Sequence, residues 1–381
     1  MSEFTCSIDV PHPGEFIAEE LEARGWAQRD LAYILGVPEQ SVNTIISGKR
    51  GISPEMAKAL GDAFDVSPMF FTNLQNAYSM SRAQAPDPAI AKRALFQGAY
   101  PVREMIKRGW LVDTDVTLLE AQLMRFFRKN SVNDIPHLAH AAKKKDQSYG
   151  EEMPHAQLAW LFRVRQICAE MVVPKYSERK LRQLVDDVFP RYLMDPEEAR
   201  HVPRALAECG VKFALVETLP KALIDGVCFW EDGNSPVIGM TTRFDRNDNF
   251  WFVLRHECEH VLNGDGKGLP EEEVYVDVDL QNEEQGTLPP SELRANRAAA
   301  NFCVPTEELE SFFIRKAPFI SERDVLGFSK RIGRHPGIVV GQLQRKLERP
   351  EYLNRLKAKI RDHVAGAAVV DGWGNPAPVT L

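Results

Sequence analysis

The 381-residue sequence predicts a mainly α protein with a small β-sheet (α+β). Three observations carry that prediction. Between His12 and Tyr78, short apolar-periodic runs alternate with glycine turns, the pattern of a small all-α module. Between Val227 and Met240, two β-branched and aromatic runs flank a turn, the pattern of one hairpin. From Trp251 to Leu262 the apolar residues fit a buried helix that contains His-Glu-x-x-His, and an alanine-rich helix follows from Ser291. With 44% hydrophobic residues, two or three cores are possible. The expected division is 1–85, an all-α module; 86–200, a helical middle region; 201–364, a domain holding the histidine motif; and 365–381, a loose tail rich in glycine and proline.

Five short helices are expected in the first module. The first runs about Pro13–Arg24, and Trp26-Ala27-Gln28-Arg29-Asp30-Leu31-Ala32 opens the second. Gly36 and Val37 make a turn into the third, Pro38–Ser47, which is followed by Gly48-Lys49-Arg50-Gly51. Two helices joined by a tight glycine turn, the second rich in small polar side chains, form a helix-turn-helix. Gln40, Ser41, Asn43 and Thr44 are residue types that read base edges, because Asn and Gln pair bidentately with adenine. Arg29, Lys49 and Arg50 would take phosphates. His12-Pro13-Gly14-Glu15, Ser47-Gly48-Lys49-Arg50-Gly51-Ile52-Ser53-Pro54-Glu55-Met56-Ala57 and Ser67-Pro68-x-Phe70-x-x-Asn73-Leu74-Gln75-Asn76-Ala77-Tyr78 carry a resemblance. On these residues the module resembles the lambda-repressor-like (XRE) DNA-binding domains of HigA-type antitoxins. The resemblance implies an operator-binding regulator, expected to act as a homodimer. Charge points the other way, since residues 1–85 hold six lysines and arginines against eleven acids. A DNA binder usually shows a basic footprint. Affinity would then come from a dimer with a local basic stripe and would fall with salt. Docking of a protein partner such as a toxin is the alternative.

Ala83-Gln84-Ala85-Pro86-Asp87-Pro88 reads as a linker, because two prolines in three residues interrupt a helix. From about Ile90 to Met194 the pattern is helical, with Leu158–Arg165 facing a core. His137, His140 and His155 lack metal spacing on a common helix, and Lys143-Lys144-Lys145 reads as a solvated charge run rather than a nucleic-acid contact.

Val227-Cys228-Phe229-Trp230, the Asp232-Gly233-Asn234 turn and Val237-Ile238-Gly239-Met240 make the hairpin. Its second strand is a candidate sheet edge, along which an extended peptide would be held by main-chain hydrogen bonds. The alternative is a hairpin buried in the core. His256 and His260 are four apart, so on a helix they lie one above the other and both imidazoles reach one metal ion. Glu257 then faces the water such an ion holds and can take its proton; zinc lowers that water's pKa from about 15.7 towards 7. A catalytic zinc keeps three protein ligands and one open position. The third ligand is expected on the helix Ser291–Phe302, capped by Ser291 and ended by Pro305. Glu292 sits in its first turn, with Asn296 one turn later as a group that orients or flanks the metal-bound carboxylate. The alternative for Glu292 is an ordinary acid favoured by the helix dipole.

Ile224-Asp225-Gly226, Pro236–Met240, Asp248-Asn249-Phe250-Trp251-Phe252 before His256–His260, and Glu292-x-x-Ala295-Asn296 continuing to Phe302 and Pro305 carry a second resemblance. The run Leu223–Pro305 resembles the ImmA/IrrE-type metallopeptidases. That resemblance implies a gluzincin-like fold and a zinc-dependent endopeptidase, with His256, His260 and Glu292 as Zn2+ ligands and Glu257 as general base. Its substrate would be a regulatory protein, a repressor or a toxin-system component. Cys258 and Ala298 depart from the family's usual residues, and Cys258 reads as a small buried hydrophobe. The oxyanion donor is open among Arg243, Tyr275 and His335. Phe328–Leu343 resembles the C-terminal part of fused antitoxin–peptidase proteins. His335 precedes a proline, so extended backbone is expected there, with the ring either in the cleft or closing the fold by a hydrogen bond. The acidic stretch from Glu271 to Gln285 is where a lid could sit. The competing reading of the whole chain is a non-proteolytic DNA-binding antitoxin whose metal site is structural or vestigial.

A net charge of −7 disfavours a general nucleic-acid or membrane-surface protein. Met1–Cys6 lacks the charged and apolar regions of a signal peptide. No uncharged apolar run approaches the roughly 18–20 residues of a membrane span. Six cysteines (Cys6, Cys168, Cys209, Cys228, Cys258 and Cys303) are scattered without C-x-x-C spacing, which argues for reduced thiols. A cytoplasmic location without a membrane partner is expected.

Overall fold

The computed structural model describes residues 10–131, 155–268, 275–278 (backbone only) and 289–372. The chain divides into two compact units, Met1–Pro88 and Ala89–Leu381.

The first unit holds α1 (Pro13–Arg24), α2 (Gln28–Leu35), α3 (Glu39–Ile46), α4 (Pro54–Phe64) and α5 (Pro68–Arg82), as expected. Local chemistry sets their ends. His12 accepts the Gly14 amide and forms a capping box with Glu15, while Ser53 and Ser67 cap helices that open on proline. Burial pushes the His12 pKa down, which keeps its Nδ1 available as the accepting atom. Gly36 ends α2 in the left-handed region, φ 65°, and so makes the turn into α3. Ile17, Leu21, Leu31, Val42, Ile45, Leu60, Phe64 and Phe71 form the core. At Gly14 a Cβ would lie 2.3 Å from the Ile45 carbonyl oxygen, so only glycine lets α1 approach α3 this closely.

The second unit opens with α6 (Pro88–Ala99), α7 (Val102–Lys107), α8 (Val116–Phe126), α9 (His155–Ala169), α10 (Glu178–Gln183), α11 (Phe189–Tyr192) and α12 (Val202–Glu208). A sheet and further helices follow: β1 (Lys212–Val216), β2 (Ile224–Glu231), β3 (Ser235–Met240), α13 (Asn247–Asn263), β4 (Tyr275–Val278), α14 (Pro290–Cys303), α15 (Thr306–Lys316), α16 (Glu322–Ile332), α17 (Pro336–Leu347), α18 (Arg361–Ala365) and β5 (Val369–Asp371). Strand order is β4-β2-β3-β1-β5. The expected hairpin is present as β2/β3, with Glu231 opposite Ser235, and β1 pairs parallel with both β3 and β5.

Three expectations are corrected. First, β3 is interior, flanked by β2 and β1, so it is not an edge; the edges among the described residues are β4 and β5. Its partner β1 precedes the hairpin and pairs parallel, a long-range contact that hairpin spacing does not report. Second, the boundary at 200 separates nothing. Phe213 and Leu215 face a core with α13, α14 and α17, whereas Ala214 and Val216 face a core with α8 and α9. A sheet apolar on both faces needs two covering layers, and α6–α9 supply the second. Third, the chain beyond Ala365 is not simply loose: Val369–Asp371 adds the strand β5. Residues 373–381 lie outside the described residues, as do His137, His140, Lys143–Lys145 and, apart from the β4 backbone, the proposed lid.

α13 is buried on almost every side. Trp251, fully buried, packs its ring 5.7 Å from Phe189, 5.4 Å from Phe250 and 6.3 Å from Phe302. Truncating such a side chain to alanine costs about 3–5 kcal/mol. No described helix is long and apolar enough to cross a membrane.

Candidate metal centre and nucleic-acid interface

The spacing that placed His256 and His260 on one helix face brings their Nε2 atoms to 2.9 Å. α14 packs beside α13 and delivers Glu292 between them, Oε2 3.2 Å from His256 Nε2 and Oε1 3.4 Å from His260 Nε2. Among the described residues, these three form the group that could hold a metal ion. All are buried, as is Glu257. α14 starts one residue earlier than expected, on Pro290 with Pro289 at the cap, so Ser291 lies inside the first turn and caps nothing.

The outer nitrogens define the protonation pattern. His256 Nδ1 lies 3.1 Å from Asn296 Oδ1, and His260 Nδ1 lies 2.9 Å from Asp265 Oδ2. Both partner atoms are placed as acceptors, which assigns the hydrogen to each Nδ1; a neutral ring in that tautomer presents its lone pair at Nε2. Two imidazole lone pairs and a carboxylate then converge in a buried space. Such a cluster of acceptors calls for a cation.

Asn296 was expected near the carboxylate and instead holds a histidine. Asp265 was not foreseen. Gly264 closes α13 at φ 67°, and the Asp265 amide bonds back to the His260 carbonyl at 3.0 Å, which turns its carboxylate under the same ring. Arg294 of α14 grips that carboxylate, with Nη2 3.0 and 2.8 Å from its two oxygens. Burial alone would raise the Asp265 pKa; the bonds from His260 and Arg294 lower it overall. The Gly264-Asp265 pair, four and five residues after His260, was the signal available in the sequence.

Glu257 rests against β2. A Cβ at residue 226 would lie 2.2 Å from Glu257 Oε1 and 2.8 Å from Val253 Cγ1, so Gly226 is the room the carboxylate occupies. Cys258 is fully buried, and burial pushes its thiol up to about 12, which fits the reading of a small hydrophobe. Two of the three oxyanion candidates are committed elsewhere. Arg243 binds Asp225 through Nε and Nη2 at 2.9 and 3.1 Å. His335 sits on extended backbone and caps α17, its Nδ1 accepting the Gly337 amide at 3.0 Å with Asn247 Nδ2 also 3.0 Å away. It closes the fold. The side chain of Tyr275 lies outside the described residues.

In the first unit, α3 buries Val42 and Ile45 and exposes Gln40 and Asn43; Ser41 and Thr44 are half-buried. Asn43 Nδ2 donates to Gln28 Oε1 at 3.2 Å, and the Thr44 hydroxyl turns back onto the Ser41 carbonyl at 2.9 Å. Lys49 and Arg50 are exposed in the turn after α3, their amides bonded to the Thr44 carbonyl at 2.9 and 3.0 Å. Arg29, with a side chain 79% exposed, stands in the first turn of α2.

Comparison with known proteins bears on this unit. The helix-turn-helix family HTH_3 matches residues 17–71. The uncharacterized HTH-type transcriptional regulator YddM of Escherichia coli (strain K12) is 32% identical over 74 residues, 19% of this chain and 79% of that protein. Virulence-associated protein A' of Dichelobacter nodosus is 41% identical over 73 residues, again 19% of this chain; the match spans 64% of that relative's length, under two thirds. Among solved structures, an addiction module antidote protein of the HigA family from Coxiella burnetii is 36% identical, covering 19% of this chain and 82% of its own, with a TM-score of 0.19. PA4674 of Pseudomonas aeruginosa, solved with its 18-bp operator DNA, is 38% identical, covering 22% and 91%, with a TM-score of 0.20. Through its N-terminal unit, the chain belongs to the helix-turn-helix family.

Proposed function

We propose that this is a DNA-binding, antitoxin-like transcriptional regulator whose second unit is a zinc-dependent endopeptidase acting on a regulatory protein. The observation that carries the enzymatic half is the buried convergence of two Nε2 lone pairs and the Glu292 carboxylate. Zinc bonds of about 2.0–2.1 Å at tetrahedral angles separate ligand atoms by about 3.3 Å, and the separations here are 2.9, 3.2 and 3.4 Å. The residues fit the ion. His256, His260 and Glu292 would hold it, and when bound it supplies Lewis-acid polarisation of the scissile carbonyl and acidifies water near neutral pH. Glu257 is assigned the proton: its carboxylate accepts it from the attacking water and returns it to the leaving amide nitrogen. Asn296 and Asp265 fix the ligand rings so that no reorientation is needed during turnover.

For the DNA-binding half, family membership and the exposure of Gln40, Asn43, Lys49 and Arg50 support an operator read by α3. The family match over residues 17–71 supports the DNA-binding half alone and so fits a second reading too, a regulator that binds DNA without cleaving protein. Glu257→Gln separates the two. New protein N-termini labelled in a cell extract should accumulate with the zinc-loaded wild type and be absent with the variant, while zinc content and operator binding stay unchanged. Equal cleavage by both proteins would remove Glu257 from the reaction, and none by the loaded wild type would leave the second reading.

A further inference from the structure

We propose that α14 orients both ligand imidazoles, His256 directly through Asn296 and His260 through Asp265, with Arg294 as the positioning residue for His260. This inference rests on the zinc reading above. Three side chains of one helix converge on the centre by different routes. Glu292 reaches between the rings, 3.2 and 3.4 Å from their Nε2 atoms. Asn296, one turn on, takes His256 Nδ1 at 3.1 Å. Arg294, between them, reaches past the C-terminus of α13 to Asp265, and Asp265 takes His260 Nδ1 at 2.9 Å.

The relay matters because Asp265 follows the helix rather than belonging to it. Its backbone is turned by Gly264, and its carboxylate has rotamers that point to solvent, where an ionised group is best hydrated. With only 17% of that side chain exposed, the Arg294 guanidinium selects the rotamer that meets the imidazole. Arg294 is itself 43% exposed, so direct charge repulsion of the ion is screened and its action runs through Asp265. Arg297, also exposed, lines the same surface groove of about 610 Å³ with Arg294 but has no ion pair among the described residues. It is the internal control.

The test is zinc affinity measured by competition with a chromogenic chelator on the full chain. Arg294→Ala should weaken binding about tenfold and Asp265→Ala by about 10–100-fold, the range for groups that orient a metal-bound histidine. Because both act through one path, the double variant should bind no more weakly than Asp265→Ala. Arg294→Lys, which keeps the charge but not the guanidinium Nη2 that meets both Asp265 oxygens, should fall between wild type and Arg294→Ala. Arg297→Ala should match wild type. Asp265→Asn, close in shape, replaces Asp265→Ala if that variant does not fold. Independent, multiplying losses, or an equal loss in Arg297→Ala, would overturn the relay. A wild type that binds no zinc would instead overturn the metal reading itself.

Discussion

Gly226→Ala puts the link between the sheet and the Glu257 carboxylate, the proposed proton acceptor, to a quantitative test. Gly226 does not occupy the left-handed region, so alanine is acceptable to the backbone and the whole effect comes from contact. The new Cβ would stand 2.2 Å from Glu257 Oε1. An ordinary carbon–oxygen approach is about 3.3 Å, so the carboxylate must withdraw by about 1 Å. Glu257 is 1% exposed and Val253 Cγ1 sits 2.8 Å from the same Cβ, so there is little space to withdraw into. Overpacking of this kind costs about 1–3 kcal/mol, offset by about 0.4–1 kcal/mol from the stiffer unfolded chain. The net expectation is a loss of about 1–2 kcal/mol in urea unfolding followed by tryptophan fluorescence. A reacting group misplaced by about 1 Å loses about 100-fold in rate, so labelled N-termini should appear about 100-fold more slowly while zinc content is kept. A double-mutant cycle isolates the cause. In a Glu257→Ala background the carboxylate is gone, and Gly226→Ala should cost about 1 kcal/mol less than in wild type. Wild-type stability and rate in Gly226→Ala, or no coupling in the cycle, would refute the reasoning.

Other expectations concern separate parts of the chain. Gly14→Ala should destabilise the first unit by about 1–3 kcal/mol, since the contacts at 2.3 and 2.8 Å are with backbone atoms of Ile45 and Ile46 that have no rotamer to change; thermal unfolding that leaves this unit unaffected would contradict the α1–α3 packing. On operator DNA, Lys49→Ala and Arg50→Ala should each reduce the slope of log affinity against log salt by about 1, whereas Asn43→Ala should lower discrimination between sequences by about 1–3 kcal/mol. A uniform loss across sequences in Asn43→Ala would remove it from base contact. Cys258 and Cys303, whose thiols burial pushes up to about 12, should resist a thiol-specific reagent at pH 8 until the protein is denatured; rapid labelling of the native chain would show that α13 and α14 open.

The parts legible in the sequence are those fixed by short-range spacing. His256 and His260 four apart, Glu292 in a first helical turn and the Asp232-Gly233-Asn234 turn each place their neighbours through local geometry alone. So does the proline after His335, which fixed the extended backbone of that residue. What escaped is long-range or carries no period. β1 is an unbroken apolar run, Phe213–Val216, because both sheet faces are covered, and such a run has no alternation to detect. β5 is three residues long and lies between Gly366 and Gly372, so composition hid it in an apparent tail. Its pairing with β1 joins residues more than 150 apart. The misplacement of β3 at an edge and of α6–α9 in a separate region both follow from missing β1. Asp265 and Arg294 escaped for another reason: the first stands next to an identified element and the second within one, but the role of each exists only once α13 and α14 are packed.

The most direct measurement is the zinc content of protein purified without added metal, by elemental analysis, for wild type and His260→Ala side by side. The expected result is about one zinc per chain in the wild type, lost in the variant, with both proteins folded. No zinc in the folded wild type, or the same content in both, would contradict a metal centre on His256, His260 and Glu292.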